Sequence, residues 1–239
     1  MTLEPSFSDA WYETFGRPDD TVTAREVAFL LDVLPPPPAT VLDVACGSGR
    51  HARALLERGY RVTGVELEPR VGVIARAAGV TVHELDMRAL RELEGTFDAV
   101  MCMWASFGWF DEATNADVFA QMAERTASNG ALVLDVYDPS WFRAHQGQHI
   151  LERGGRRTEE LKHVVGARLF TTLDYGDGHN DDFSWQLYEP HELVALGETA
   201  ELTCETICAG FDVRSSPRGE VARMQAVFRR PGTRLDAEP

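Results

Sequence analysis

Two glycines one residue apart close the stretch VLDVACGSG at residues 41–49, and Glu66 ends the next apolar run, RVTGVE. Gly47 and Gly49 can take positive φ and let a ligand approach the backbone closely. A helix opening at Gly49 aims its first amides at the same spot. A carboxylate at the tip of the following strand can take both hydroxyls of a ribose. Together these residues describe a seat for a nucleotide-like cofactor. G-x-G-x-x-A, completed here by Ala52, is a weak signal alone; its place between two strands, with an acid beyond, makes it specific. Asp43, within the first strand, separates two cofactor classes. Its charge would repel a pyrophosphate but suits a ligand carrying an ammonium and a sulfonium.

The elements that must position these groups alternate regularly. The pattern predicts strand 40–45, helix 49–58 closed by Gly59, strand 60–66, helix 69–78 closed by Gly79, and strand 80–85. Strand 97–103, helix 111–127 and strand 131–137 follow. Short apolar strands alternating with helices imply right-handed crossovers and a doubly wound, mostly parallel α/β sheet of seven strands. Residues 138–166 read as irregular and polar. An antiparallel hairpin is expected from ARLFTTLDY and DFSWQLYEP around a GDGHND turn, then a helix at 190–200 and strands near 201–211 and 220–229. Upstream, FSDAWYETFG and TAREVAFLLDVL predict two helices, the second stopped by Pro35 to Pro38. The chain thus divides into an N-terminal helical lid (1–38), a cofactor-binding core (39–137), an inserted loop and hairpin (138–188), and a C-terminal helix and strand pair (189–239).

The sequence resembles the class I S-adenosylmethionine-dependent methyltransferases, with a Rossmann-like fold. LDVACGSG is similar to their first motif and GVELEP to their second, which implies Glu66 on the ribose with Leu67 beside it. ELDMR resembles the third-strand motif, implying Asp86 on the adenine amino group and Met87 over the ring. FDAVMCMWASFGWF and NGALVLDVY resemble the fourth and fifth strands. The resemblance implies S-adenosylmethionine as cofactor, released as S-adenosylhomocysteine. The cofactor residues it implies are Tyr12, Arg25, Asp43, Ala45, Cys46, Gly47, Gly49, Glu66, Leu67, Asp86, Met87, Met103 and Trp104. In this pattern Tyr12 and Arg25 would hold the methionine carboxylate. Ala45 stands where the family often has glycine and is expected to keep a negative φ. The C-terminal layout and the YDPSWF step resemble small-molecule N-methyltransferases of bacterial secondary metabolism.

Methyl transfer from a sulfonium is an in-line displacement with an activated leaving group, so alignment and exclusion of water matter more than acid–base groups. Aromatic walls are the expected signature. Trp104, Phe107 and Trp109 follow the fourth strand, and Tyr137 and Trp141 follow the fifth; with Tyr188 they form the expected acceptor pocket. For a general base the candidates are His145, His191 and Tyr137. The histidine spacing describes no metal site. A nicotinamide oxidoreductase on the same topology is disfavoured by Asp43 and by the absence of a Tyr-x-x-x-Lys pair. A binding module that transfers nothing would need a damaged loop, and both glycines are intact.

With 239 residues and 44% hydrophobic content the chain can bury a full core. A net charge of −15 and the lack of a basic face argue against nucleic acid. No apolar run approaches the ~20 residues of a spanning helix, and the first residues do not read as a secretory leader; a cytoplasmic protein that binds no membrane is expected. Its partner is a small-molecule acceptor, and the hairpin can serve as lid, homodimer contact or both. Cys46, Cys102, Cys204 and Cys208 form no C-x-x-C pair and are expected to be reduced thiols.

Overall fold

A computed structural model describes residues 7–16, 19–153 and 155–232. Helices α1 (Asp9–Phe15) and α2 (Asp20–Val33) lead in. Ser8 caps the first by accepting from the Trp11 amide, and Asp19 caps the second by accepting from Thr21. α2 stops at Leu34, where the proline run imposes extended backbone.

Strand and helix then alternate: β1 (Thr40–Val44), α3 (Arg50–Leu56), β2 (Arg61–Glu66), α4 (Pro69–Ala77), β3 (Thr81–Glu84), β4 (Phe97–Cys102), α5 (Glu112–Arg125) and β5 (Thr126–Tyr137). β1 to β5 pair in parallel, and β10 (Thr203–Ala209) and β11 (Arg223–Arg229) add antiparallel strands beside β5. The resulting order is β10-β11-β5-β4-β1-β2-β3, a mostly parallel sheet of seven strands as the sequence pattern expects. Two cores flank the sheet. Phe29, Leu30, Leu55 and Met101 belong to one, with α2 and α3; Leu42, Phe119, Met122, Leu134 and Phe228 belong to the other, with α5.

The expected irregular stretch at 138–166 is instead structured. It forms α6 (Pro139–Ala144), capped by Asp138, then β6 (Gly147–Arg153) and β7 (Arg156–Val165). These join β8 (Arg168–Asp174) and β9 (Asn180–Gln186), so the expected hairpin is half of a four-stranded antiparallel sheet, β6-β7-β8-β9. The alternation of β7 is inverted, so its sequence resembles a polar loop: Thr158 and Lys162 are buried while Leu161 is exposed. A 3-10 helix, Met87–Glu92, was also unforeseen; Asp86 caps it by accepting from Arg88. Helix α7 (Pro190–Thr199) opens with a capping box between Glu189 and Glu192.

The four-stranded sheet covers the tips of β4 and β5. α1 is fastened to it by a Ser8 hydroxyl that donates to Asp181 at 2.6 Å and by Phe7 against Phe183. The loop after β4 is stitched on where the Gln186 amide donates to the Gly108 carbonyl at 2.7 Å.

Candidate active site

The turn after β1 is left-handed at three of five residues: Ala45 at φ 57, Gly47 at φ 57 and Gly49 at φ 76. Glycine is required at 49 because an added Cβ would lie 2.8 Å from Ala75 Cβ, where α3 packs on α4. Ala45 departs from the expected negative φ. The Cys46 amide donates to the Val65 carbonyl and the Gly49 amide to the Cys46 carbonyl, and this pinning outweighs the left-handed cost of about 1 kcal/mol for an L-residue. Ala45→Gly is therefore expected to be neutral or stabilising by up to about 1 kcal/mol in thermal unfolding, since glycine's greater unfolded entropy offsets part of the relief. A clear destabilisation would contradict the left-handed turn.

Glu66 ends β2 with both carboxylate oxygens engaged, Oε2 by the Gly47 amide and Oε1 by the Glu68 amide, each at 2.8 Å. Burial raises its pKa against those hydrogen bonds. Tyr12 of α1 lies close enough to feel Glu66 and Glu68; burial first, then those charges, push its phenol up to about 12. Leu67 is exposed and Cys46 buried. Asp86 is bound by its own Arg88 guanidinium at 2.7 Å, and although burial opposes it, that contact lowers the Asp86 pKa. Met87 is half-buried against the α5-side core.

Asp43 is 1% exposed, and its Oδ2 has no hydrogen-bond partner. Burial pushes its pKa up to about 7; Arg50 opposes the shift and Glu66 adds to it. Arg50, the first residue of α3, presents the opposite deficiency: its Nη2 is a buried donor without a partner. An unpaired anionic acceptor and an unpaired cationic donor, coupled through their charges, match the ammonium and carboxylate of an α-amino acid. Those two orphaned atoms fit the methionine end of S-adenosylmethionine.

Arg50 is anchored by a network that the sequence did not announce. Glu26 of α2 accepts from Arg50, from His51 at 2.9 Å and from Arg223 of β11 at 2.9 Å. Burial would raise the Glu26 pKa, but hydrogen bonds from His51 and Arg50 outweigh it and hold it at about 2. Burial lowers His51 to about 4, against the pull of Glu26, so the imidazole is neutral. Arg223 also pairs with Asp135 of β5, which accepts from Gln225 at 2.8 Å. Arg25, expected on the cofactor, is exposed with its guanidinium over the Phe211 ring; its neighbour Glu26 and, one turn earlier, Thr23 are the α2 side chains that meet Arg50 of α3.

Asp135 fixes the next feature. Trp104 and Ala105 are both left-handed, at φ 61 and φ 56, directly after β4. The Trp104 amide donates to Asp135 Oδ2 at 2.8 Å and the Ala105 amide to the Asp135 carbonyl at 3.0 Å. Strain of this kind persists where surroundings over-determine it. Trp104 is thereby held with Arg50 over its ring at 5.1 Å and Trp11 of α1 at 6.1 Å. Met103 is buried in the α2-side core.

Beyond Trp104 the aromatics divide. Trp109 contacts Phe7, Phe183 and Trp185; Tyr137 contacts Trp185 and Phe142; Trp141 stacks on His145. These pack between α1, the strand tips and the four-stranded sheet, with Trp109 4% exposed in the α5-side core and Tyr137 and Trp141 half-buried against it. Phe107 and Tyr188, expected in the same wall, stack on each other at 5.3 Å beside Phe119 and serve the α5-side core. Of the expected bases, His145 is exposed with Nδ1 2.7 Å from the Trp141 carbonyl, and His191 is exposed on the first turn of α7. Burial, opposed by Arg223 and reinforced by Glu160, pushes Tyr137 up to about 12, so it is a neutral phenol.

Residues 41–130 match the methyltransferase-domain family. The chain is 29% identical over 233 residues to the dTDP-3-amino-3,4,6-trideoxy-alpha-D-glucopyranose N,N-dimethyltransferase of Streptomyces venezuelae, covering 90% of this chain and 92% of that one. The solved sugar N-methyltransferase of Streptoalloteichus sp. is 25% identical, with a TM-score of 0.68 over 97% of each chain. A methyltransferase of Streptomyces caelestis superposes with a TM-score of 0.75 over 91% of this chain and 94% of that one; at 18% identity it bears on the fold alone. Glycine turn, strand order and relatives agree on an S-adenosylmethionine-dependent methyltransferase whose methyltransferase domain spans residues 41–130.

Proposed function

We propose that the chain methylates the nitrogen of a small amino sugar, with Glu66, Asp43 and Arg50 holding the cofactor and Trp104, Trp109, Tyr137 and Trp141 walling the acceptor. One observation carries this reading: Trp104 lies between Arg50, which opens the helix after the glycine turn and sits over its ring, and Trp11 of α1 beside it. S-adenosylmethionine supplies a methyl group on a positively charged sulfur, so the leaving group needs no further activation. The protein's part is placement. Asp43 and Arg50 fix the amino-acid end, Glu66 the ribose, and the left-handed Trp104–Ala105 step sets the wall between cofactor and acceptor. Packing from α1 and the four-stranded sheet excludes water. A neutral amine brings its own lone pair, so no buried base is required, and exposed His145 serves as a route for the released proton.

The amino-sugar substrates named for the relatives support nitrogen over oxygen. The lid reading of residues 1–38 is supported by α1 lying against the four-stranded sheet, with Ser8 on Asp181 of β9, Glu13 on Arg156 of β7 and Phe15 under Arg153 of β6; residues 1–6 and 17–18 lie outside the described residues. No described helix is long and apolar enough to cross a membrane. The −15 charge supports small molecules over nucleic acid as partners. A homodimer through the four-stranded sheet belongs to the same reading and is measured by light scattering.

Thermal shift tests the cofactor half. S-adenosylmethionine and S-adenosylhomocysteine are expected to raise the melting temperature, and NADH is not. Glu66→Ala should weaken the cofactor by roughly 10- to 100-fold, as expected for a lost charge-assisted contact. Trp109→Ala should lower turnover with the cofactor affinity kept. A melting temperature indifferent to both sulfur compounds would refute the assignment.

A further inference from the structure

The four-stranded sheet is inside out along β7. Leu161 is 49% exposed and Val165 62%, while Thr158 is fully buried and Lys162 only 7% exposed. Glu160 and Lys162 meet on the covered face, carboxylate to ammonium at 2.8 Å. Lys162 Nζ sits 5.1 Å over the Trp141 ring and 5.7 Å over Phe142. Glu160 is near enough to Tyr137 to help raise its pKa. The pair therefore faces the aromatic wall at the tip of β5. On the same covered face Thr158 Oγ1, and Trp185 Nε1 against Tyr137, are buried without hydrogen-bond partners.

Packing does not account for this arrangement. Withdrawing two charges from water costs more than their attraction commonly returns, and aliphatic residues on the covered face would serve the fold as well or better. Lys162 is also the only lysine in the sequence. Its chemistry differs from that of the arginines: a compact ammonium with three rotatable donors, one of which Glu160 takes here.

We propose that Glu160 and Lys162 are the acceptor-selecting pair, hydrogen-bonding adjacent hydroxyl groups of a neutral, hydroxylated ring that presents its amine to the methyl group. This rests on the aromatic space being the acceptor site. The charge balance defines the ligand class. A lone carboxylate would trap an amine as its ammonium, which has no lone pair to donate. A lone lysine would favour a carboxylate or phosphate. A closed pair offers donors and acceptors side by side with little net charge, and each hydroxyl is both donor and acceptor. Unpaired Thr158 Oγ1 and Trp185 Nε1 extend the polar set, and aromatic faces take the apolar face of the ring.

The test is calorimetric titration of protein saturated with S-adenosylhomocysteine, using two ring amines of similar size. Methyl 3-amino-3-deoxy-α-D-glucopyranoside carries the hydroxyls and cyclohexylamine lacks them. Wild type is expected to prefer the hydroxylated amine by at least about tenfold, and the E160Q/K162M double variant to lose that preference while binding cyclohexylamine unchanged, as expected for a site whose buried polar groups are matched by ligand hydroxyls. Its affinity for S-adenosylhomocysteine should not move, which shows that the variant is folded. A second measurement needs no variant: the hydroxylated amine, and not cyclohexylamine, should protect Lys162 from reductive methylation followed by mass spectrometry. Absence of a preference in wild type, a preference retained in E160Q/K162M, or equal labelling under both amines overturns the proposal. Failure to bind S-adenosylhomocysteine would instead count against the methyl-transfer reading, and the first titration step reads it separately.

Discussion

Asp43→Asn is expected to weaken S-adenosylmethionine binding by roughly a hundredfold and yet raise the stability of the ligand-free protein at pH 8. The two effects share one cause. Asp43 is buried, its Oδ2 lacks a partner, and burial lifts its pKa to about 7. In the unfolded chain it titrates near ~3.9. A carboxyl whose folded pKa is raised costs nothing while protonated in both states, below about pH 4. The cost grows as pH rises from about 4 to about 7 and stays in full above that. The shift sets a ceiling of about 4 kcal/mol, and relaxation plus the unpaired amide of Asn reduce the expected gain to about 1–2 kcal/mol at pH 8. At pH 5 the gain should fall to about a third. Denaturant unfolding at the two pH values, with calorimetry of cofactor binding, reads both arms. A gain equal at both pH values would show that charge burial is not its source. Cofactor affinity unchanged by the substitution would remove Asp43 from the site.

Glu26→Ala should produce the larger loss, about 3–5 kcal/mol, as when one partner is removed from a buried ionic cluster. It strips Arg50 and His51 of their shared acceptor and leaves Arg223 with Asp135 alone. The pH dependence runs opposite to that of Asp43. Glu26 is held at about 2 against an unfolded value near ~4.3, so its contribution is complete above about pH 4.3 and disappears as pH falls towards 2. His51, held at about 4 by burial, acts in the same direction: folding loses stability as pH falls from about 6.5 to 4 because the imidazole resists protonation. Wild type should therefore lose several kcal/mol between pH 6 and pH 3, and the variant markedly less. Cofactor affinity should drop with it, since Arg50 loses its anchor. A loss under about 1 kcal/mol would mean that the cluster is solvated in solution.

What could be read from the chain follows the range of the signal. β1, β2, β4, β5 and the glycine turn each announce themselves locally, as short apolar runs punctuated by glycine, with Asp43 inside the first and Glu66 at the end of the second. β7 does not: Glu160 and Lys162 occupy its covered positions while Leu161 and Val165 face out, so a half-buried strand reads as a polar loop. The Glu26 cluster is illegible for another reason. Its members span 197 positions, and no local pattern distinguishes Glu26 from exposed Arg25 beside it. Among the aromatics, Trp109 and Phe107 belong to one loop, and only the fold reveals that the first meets Phe7 and Trp185 and the second Tyr188.

The bond from Glu26 to Arg223 also has a consequence for birth order. It joins the second helix to the final strand, and β11 must enter between β10 and β5 before that bond can close. During synthesis Glu26, the glycine turn and Glu66 emerge from the ribosome long before Arg223, so the ion-pair cluster around Glu26 closes only after β11 has been made and inserted.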